Sequence, residues 1–268
     1  METQILLFKI IMTPIIIAGV TLIARRWGND IGGLFIGLPL TSGPVSIFFS
    51  VEQGRQFAAH AANSAMLGTI PVVIFYLTYM FCAKRFPWYL SSIFSIIMYF
   101  LAVFGFSQAA PIPVITAFLV PLFFGIGLFS LGKTDMNNKK MTYPWWDIPF
   151  RVITATFMVV FITTAARNLG PVWSGLLSAF PVFTIVIVTF SHRQGGSAAI
   201  KQYFRGAILG LYSYYLFFMV VMLLIEKMSI SLVYSIASVM ALLLNLLFLT
   251  LRIRKKQKFF ATIPPSGT

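Results

Sequence analysis

Along the chain, apolar residues collect into runs of about 20, the length that spans roughly 30 Å of hydrocarbon, separated by short polar stretches. Nine such runs lie at about 5–24, 32–51, 61–82, 88–107, 112–131, 150–168, 172–190, 206–225 and 229–251. In hydrocarbon, backbone N–H and C=O groups must find partners inside the segment, so each run predicts a helix. The longest connection, around 132–149, carries Lys133, Asp135, Lys139, Lys140 and Asp147. Beyond Leu251 a polar tail ends in Ile263-Pro264-Pro265-Ser266-Gly267-Thr268 and is expected to lack structure.

Two of the runs are interrupted in the same way. Gly33-Leu34-Phe35-Ile36-Gly37-Leu38-Pro39-Leu40-Thr41-Ser42-Gly43-Pro44 in the first half corresponds to Gly175-Leu176-Leu177-Ser178-Ala179-Phe180-Pro181-Val182-Phe183-Thr184 in the second. An ungapped shift of 142 residues superposes Gly33 on Gly175 and Pro39 on Pro181. It also matches Arg25/Arg167, Gly28/Gly170, Leu34/Leu176, Phe48/Phe190, Gly54/Gly196, Ala65/Ala207, Leu67/Leu209, Gly68/Gly210, Phe75/Phe217 and Met80/Met222. Glycine and proline are over-represented among these pairs, which a Leu-, Phe- and Ile-rich composition would not produce. Equivalent first spans are separated by five crossings, an odd number, so the second copy must lie upside down relative to the first. The expected fold is an all-α integral membrane protein of nine helices: a four-helix repeat over 1–107, a linker helix and loop over 108–148, an inverted four-helix repeat over 149–251, and a basic tail over 252–268. Paired Gly/Pro-broken segments of this kind point to a midplane binding site.

Charge sets the orientation. Alternating sides across nine spans places Arg25, Arg26, Lys84, Arg85, Lys133, Lys139, Lys140, Arg151, Arg193, Lys201, Arg205, Arg252, Arg254, Lys255, Lys256 and Lys258 on one side, and only Lys9, Arg55, Arg167 and Lys227 on the other. The positive-inside rule then puts the N-terminus outside and the C-terminus in the cytoplasm. A re-entrant hairpin at 32–51 would put Lys84 and Arg85 on the wrong side.

At the breaks, Pro39 and Pro181 each remove a backbone donor and free a carbonyl one turn earlier. Gly37, Thr41, Ser42, Gly43, Pro44, Ser178 and Thr184 flank them and complete the expected substrate-binding set; the bland alternative is a kink capped by its neighbours. Small residues at four-residue spacing, Gly33/Gly37 with Gly175/Ala179 and Ser64/Gly68 with Gly206/Gly210, allow close helix crossing and read as packing. Each broken run ends in a polar turn, Glu52-Gln53-Gly54-Arg55 and His192-Arg193-Gln194-Gly195-Gly196. Glu52, Arg55, Arg167, His192 and Arg193 are the candidate gating residues, with Glu52 or His192 able to titrate; ordinary interfacial loops are the alternative. Asp147 and Arg151 can pair four apart at the start of a helix and read as structural.

Composition narrows the class. The 268 residues are 59% hydrophobic and only 10% charged, whereas soluble domains are about a quarter charged. The net charge of +14 is spread over segment ends, so no nucleic-acid partner is expected; the lipid bilayer is. A single cysteine, Cys82, excludes an internal disulfide and a cysteine-built metal site, and no cofactor or metal is expected. The N-terminal run lacks a preceding basic stretch and a cleavage site, and reads as a retained span. All six acids, Glu2, Asp30, Glu52, Asp135, Asp147 and Glu226, fall at or beyond span ends, so no buried carboxylate is expected, and no buried arginine can be placed. Neither H-E-x-x-H nor G-x-x-x-x-G-K-[ST] occurs, and no enzyme is expected.

The string Gly175-Leu176-x-x-x-Phe180-Pro181-x-Phe183, with the Arg193-Gln194-Gly195 turn and the aromatic helix through Tyr212, Tyr214, Tyr215 and Phe217, resembles the GlpM-like family of four-span bacterial inner-membrane proteins. The likeness covers about 150–250 well and 10–105 weakly, as though two such units were fused. It implies a bacterial inner-membrane location. The architecture is also similar to drug/metabolite transporters. Together these readings predict a secondary transporter that moves a small neutral, zwitterionic or lipid-linked solute by alternating access; the sequence also permits an oligomer. The alternatives are a non-transporting scaffold or envelope-biogenesis factor, recognised by a dry packed bundle, and an intramembrane enzyme, which would need a polar cluster at one depth.

Overall fold

A computed structural model describes residues 2–40, 42–108, 112–132, 146–166 and 179–261. They form helices α1 (Glu2–Trp27), α2 (Asn29–Ile36), α3 (Ser42–Glu52), α4 (Arg55–Leu67), α5 (Thr69–Cys82), α6 (Trp88–Ser107), α7 (Pro113–Leu131), α8 (Asp147–Ala166), α9 (Val182–Leu224) and α10 (Ile230–Ala261). No strand occurs among the described residues. Six helical stretches are long and apolar enough to cross a membrane: Ile10–Trp27, Arg55–Cys82, Trp88–Ser107, Pro113–Leu131, Gly196–Leu224 and Ile230–Arg254. Their outward faces present Phe118, Phe129, Leu101 and Leu243, apolar surface that lipid accepts and water does not. The chain is a membrane protein on this pattern.

The other three expected spans differ for identifiable reasons. The run at 32–51 is two short helices, α2 and α3, separated by the break. The runs at 150–168 and 172–190 extend into residues outside the described set. Boundaries shift elsewhere. Gly68 keeps helical angles (φ −59°, ψ −16°), so α4 and α5 form one crossing that begins at Arg55 rather than near 61. The expected turn at His192–Gly196 is helical up to Gly196, where φ 67° and ψ −166° interrupt α9. The last helix runs ten residues past Leu251 into the basic segment.

Glycine decides how the centre packs. A Cβ on Gly206 would overlap the Asp30 carbonyl oxygen, one on Gly33 the Tyr203 carbonyl oxygen, and one on Gly210 the Leu34 carbonyl oxygen. The residues that would be struck are backbone, so α2 and the second arm of α9 touch main chain to main chain over 30–37 and 203–210. The contacts advance together along both segments, making the crossing parallel. The small residues expected to permit close crossing do so here.

Two long helices then splint the breaks. α10 runs antiparallel to the α2–α3 unit: Tyr234 meets Ser46 and Ser50, Asn245 meets Leu34, and Arg252 lies 3.9 Å from Asp30. α6 runs antiparallel to the residues around the second break: Ser92 meets Thr189, and Tyr99 meets Phe180 with ring centroids 5.0 Å apart. Tyr234 and Ser92 are equivalent under the 142-residue shift. α1 and α8 pack side by side, with the C-terminal end of α1 against the N-terminal end of α8, and so run antiparallel.

Candidate functional site

The first break is built from its missing donor. Pro39 has no N–H, so α2 stops, and the chain turns through Leu38 and Leu40 before Gly43 N–H donates to the Pro39 carbonyl at 2.9 Å and starts α3. The carbonyls that the break releases have protein partners. Leu38 N–H donates to Phe35 O at 3.2 Å, and Asn245 Nδ2–H donates to Leu34 O at 3.2 Å. Gly37 lies against the backbone of Gly210, and Gly43 accepts the Phe217 ring, whose Cζ would stand 3.3 Å from a Cβ there. Ser42 is buried and Pro44 half-buried. One turn further, the Tyr234 hydroxyl donates to Ser46 O at 2.7 Å and lies 2.7 Å from the hydroxyls of Ser46 and Ser50.

At the second break, Pro181 is buried and its carbonyl accepts from Ile185 N–H at 2.9 Å, starting α9. The Thr184 hydroxyl, equivalent to Ser42 in the repeat, lies 3.2 Å from the Tyr76 hydroxyl. Tyr76 stacks on Phe204 with centroids 4.7 Å apart. Up the same arm, Ser92 and Thr189 share a 3.1 Å hydrogen bond, and Tyr79 reaches His192 Nδ1 at 3.4 Å. The hydroxyls thus form two clusters, one of α3 and α10 at the first break and one of α5, α6 and α9 at the second, each paired within itself.

The candidate gating residues separate. Glu52 ends α3 half-buried, and its Oε1 is buried with no hydrogen-bond partner among the described residues. Arg55 and Arg193 are exposed. Burial lowers the pKa of His192 from its ordinary value, so its ring favours the neutral form, consistent with Tyr79 at Nδ1. Thr41, Ser178 and Arg167 lie outside the described residues.

One constellation goes beyond the sequence expectations. Asp147 stands at the start of α8 as expected, yet its side chain is 0% exposed, and that of Arg151 only 2%. Arg151 Nε donates to Asp147 Oδ2 at 2.9 Å and Nη1 donates to Ile187 O at 3.3 Å, with the guanidinium 4.8 Å over the Phe190 ring. Arg25 from α1 donates to the same Oδ2 at 2.5 Å, and Gln194 donates to Oδ1 at 2.8 Å. The expectation that no carboxylate and no arginine is buried is thus corrected. A residue at a helix end is buried when other helices cover that end, and here α1 and α9 do. The pairing of Asp147 with Arg151 was legible from their spacing; the partners Arg25 and Gln194 were not.

Neither the protein-family models nor the curated proteins nor the solved structures compared with the chain give a match.

Proposed function

We propose that the chain is a secondary transporter of nine spans, an inverted repeat of four plus four helices linked by α7. It would move a small neutral, zwitterionic or lipid-linked solute by alternating access. The observation that carries this reading is the coincidence of backbone breaks. In each half the helix that starts after a proline, α3 after Pro39 and α9 after Pro181, reaches at the same distance a glycine in a conformation essentially closed to other residues: Gly54 (φ 87°, ψ 169°) and Gly196 (φ 67°, ψ −166°). Matching contacts support it: α10 lies on the first break through Tyr234 and α6 on the second through Ser92, the register partner of Tyr234. The antiparallel packing of α1 and α8 fits inversion, because these are the first helices of the two copies.

The meeting of Arg25, Asp147 and Gln194 at one end fits the charge-based orientation, in which that end is cytoplasmic and the membrane is the bacterial inner membrane. The GlpM-like relationship enters on its motif alone. The buried charges form a mutually neutralised Asp147–Arg151 pair with Arg25 at its edge, and the breaks themselves offer hydroxyls, which favours an uncharged or zwitterionic solute over a small ion.

The scaffold reading has one observation in its favour: the carbonyls of Leu34 and Phe35 and the hydroxyl of Thr184 all have protein partners, as in a dry bundle. Accessibility separates the two. In a Cys82→Ser background, single cysteines at Ser42 and Thr184 are treated with a membrane-impermeant thiol reagent from each side. Side-dependent labelling that a solute blocks supports the transporter; a folded protein in which neither position labels from either side favours the scaffold.

A further inference from the structure

The Asp147 cluster divides unevenly between the halves of the chain. Four of its five members, Asp147, Arg151, Gln194 and the Ile187 carbonyl, belong to α8 and the first arm of α9, with Phe190 beneath the guanidinium. Only Arg25 comes from the first half. The side chain of Arg25 is 24% exposed, against 0% for Asp147, so it reaches the surface, as does the half-buried Gln194.

We propose that the Arg25–Asp147 contact is a latch between α1 and the pair formed by α8 and the first arm of α9, and that this pair moves from α1 when Arg25 lets go of Asp147. The proposal rests on the transporter reading and identifies the closed gate of that cycle. Charge makes the release cheap. When Arg25 withdraws, Asp147 keeps Arg151 on Oδ2 and Gln194 on Oδ1, so the buried pair stays neutral and hydrogen-bonded. Arg151 also keeps Ile187 O and the Phe190 ring, both on α9. Arg25 moves into water with its charge hydrated.

A buried ion cluster is weak evidence for added stability, since apolar packing of similar volume does as well or better. A contact that must form and break repeatedly has the opposite need: strength in the closed state without a stranded charge in the open one. The distribution of partners about Asp147 meets that need. Glu52, at the repeat position of Gln194, likewise has a buried Oε1 that no described group engages, as does Gln194 itself.

The test uses the full chain with Cys82→Ser in lipid nanodiscs and a sulfonated maleimide added without any solute. Single cysteines replace Ser191, buried beside the latch, and Thr184, about two turns deeper on the same arm. Arg25→Gln should raise the labelling rate at both positions about tenfold, and Arg25→Lys, which restores the charge, should return most of the protection. Unchanged rates at both positions would overturn the latch. So would a rise at Ser191 alone, because that is local fraying at an interfacial contact. If Arg25→Gln yields no folded protein, Arg25→Met, which keeps the bulk and removes the charge, carries the test: a rate at Thr184 about tenfold above the parent supports the latch, and the parental rate overturns it. The transporter reading fails separately, when solutes never protect Ser42 or Thr184 in the parent chain.

Discussion

Glu52 and Gln194 lie 142 residues apart, the spacing of the matched sequence halves, yet the surroundings of Glu52 and of Asp147, which Gln194 touches, differ. At one end a carboxylate from the start of α8 is fully buried and saturated by two arginines and a glutamine. At the other, the carboxylate sits on α3 at the register of that glutamine, half-buried, with one oxygen unengaged. Backbone geometry is shared between the ends, and side-chain chemistry is not. The bends at Gly54 and Gly196 thus fall at matching positions, while each end carries its own charge arrangement.

The strongest challenge to that contrast removes each acid in turn. Asp147→Ala leaves Arg151 buried without its counter-ion and should cost about 3–5 kcal/mol, whereas Glu52→Ala removes a half-buried carboxylate whose Oε1 has no partner among the described residues and should stay within about 0.5 kcal/mol. Thermal unfolding in detergent measures both; equal losses would mean that the two ends are energetically alike. A smaller effect tests the shared part. Gly54→Ala and Gly196→Ala force a side chain into a glycine-only region, costing about 1–3 kcal/mol each. The two midpoints should fall together, and a drop in only one would dissolve the backbone equivalence.

The smallest expected effect is acid sensitivity confined to one end. Burial holds the His192 pKa below its ordinary value, so between the two values the unfolded chain binds more protons than the folded one. Stability is then full above the ordinary imidazole range, about 6.5, and declines as pH falls through it. Its register partner is Ser50, which cannot titrate. Replacing His192 with Gln should flatten the dependence of melting temperature on pH between neutral and mildly acidic conditions, and Ser50→Ala should not.

The sequence made the breaks legible because proline and glycine act on their own backbone. Pro39 follows the end of α2 and Pro181 precedes the start of α9, whereas Pro14 and Pro121 are carried inside α1 and α7, so proline marks a break only in company with glycine; Gly54 and Gly196 permit angles that other residues resist. The crossing of α2 with α9 was half legible: Gly33/Gly37 and Gly206/Gly210 announced tight contact, without saying that these two pairs face one another. Burial of Asp147 was not legible. It depends on Arg25, 122 positions away, and Gln194, 47 positions away, neither of which carries a local signature. The extension of α10 to Ala261 was hidden for a related reason, since the charged residues that end an apolar run do not by themselves end a helix.

The brevity of α2 bears on how the protein is made. Its eight residues give about 12 Å of helix, less than half of the hydrocarbon thickness. The backbone that seats it, residues 203–210, is synthesised about 170 residues later, and at about 5–20 residues per second that delay is on the order of ten seconds or more. Asn245, which satisfies the Leu34 carbonyl, follows later still. Throughout that interval α2 rests on α1 without the backbone face that α9 later supplies. Completion of the first half is thus a late event in biogenesis, carried out by the second.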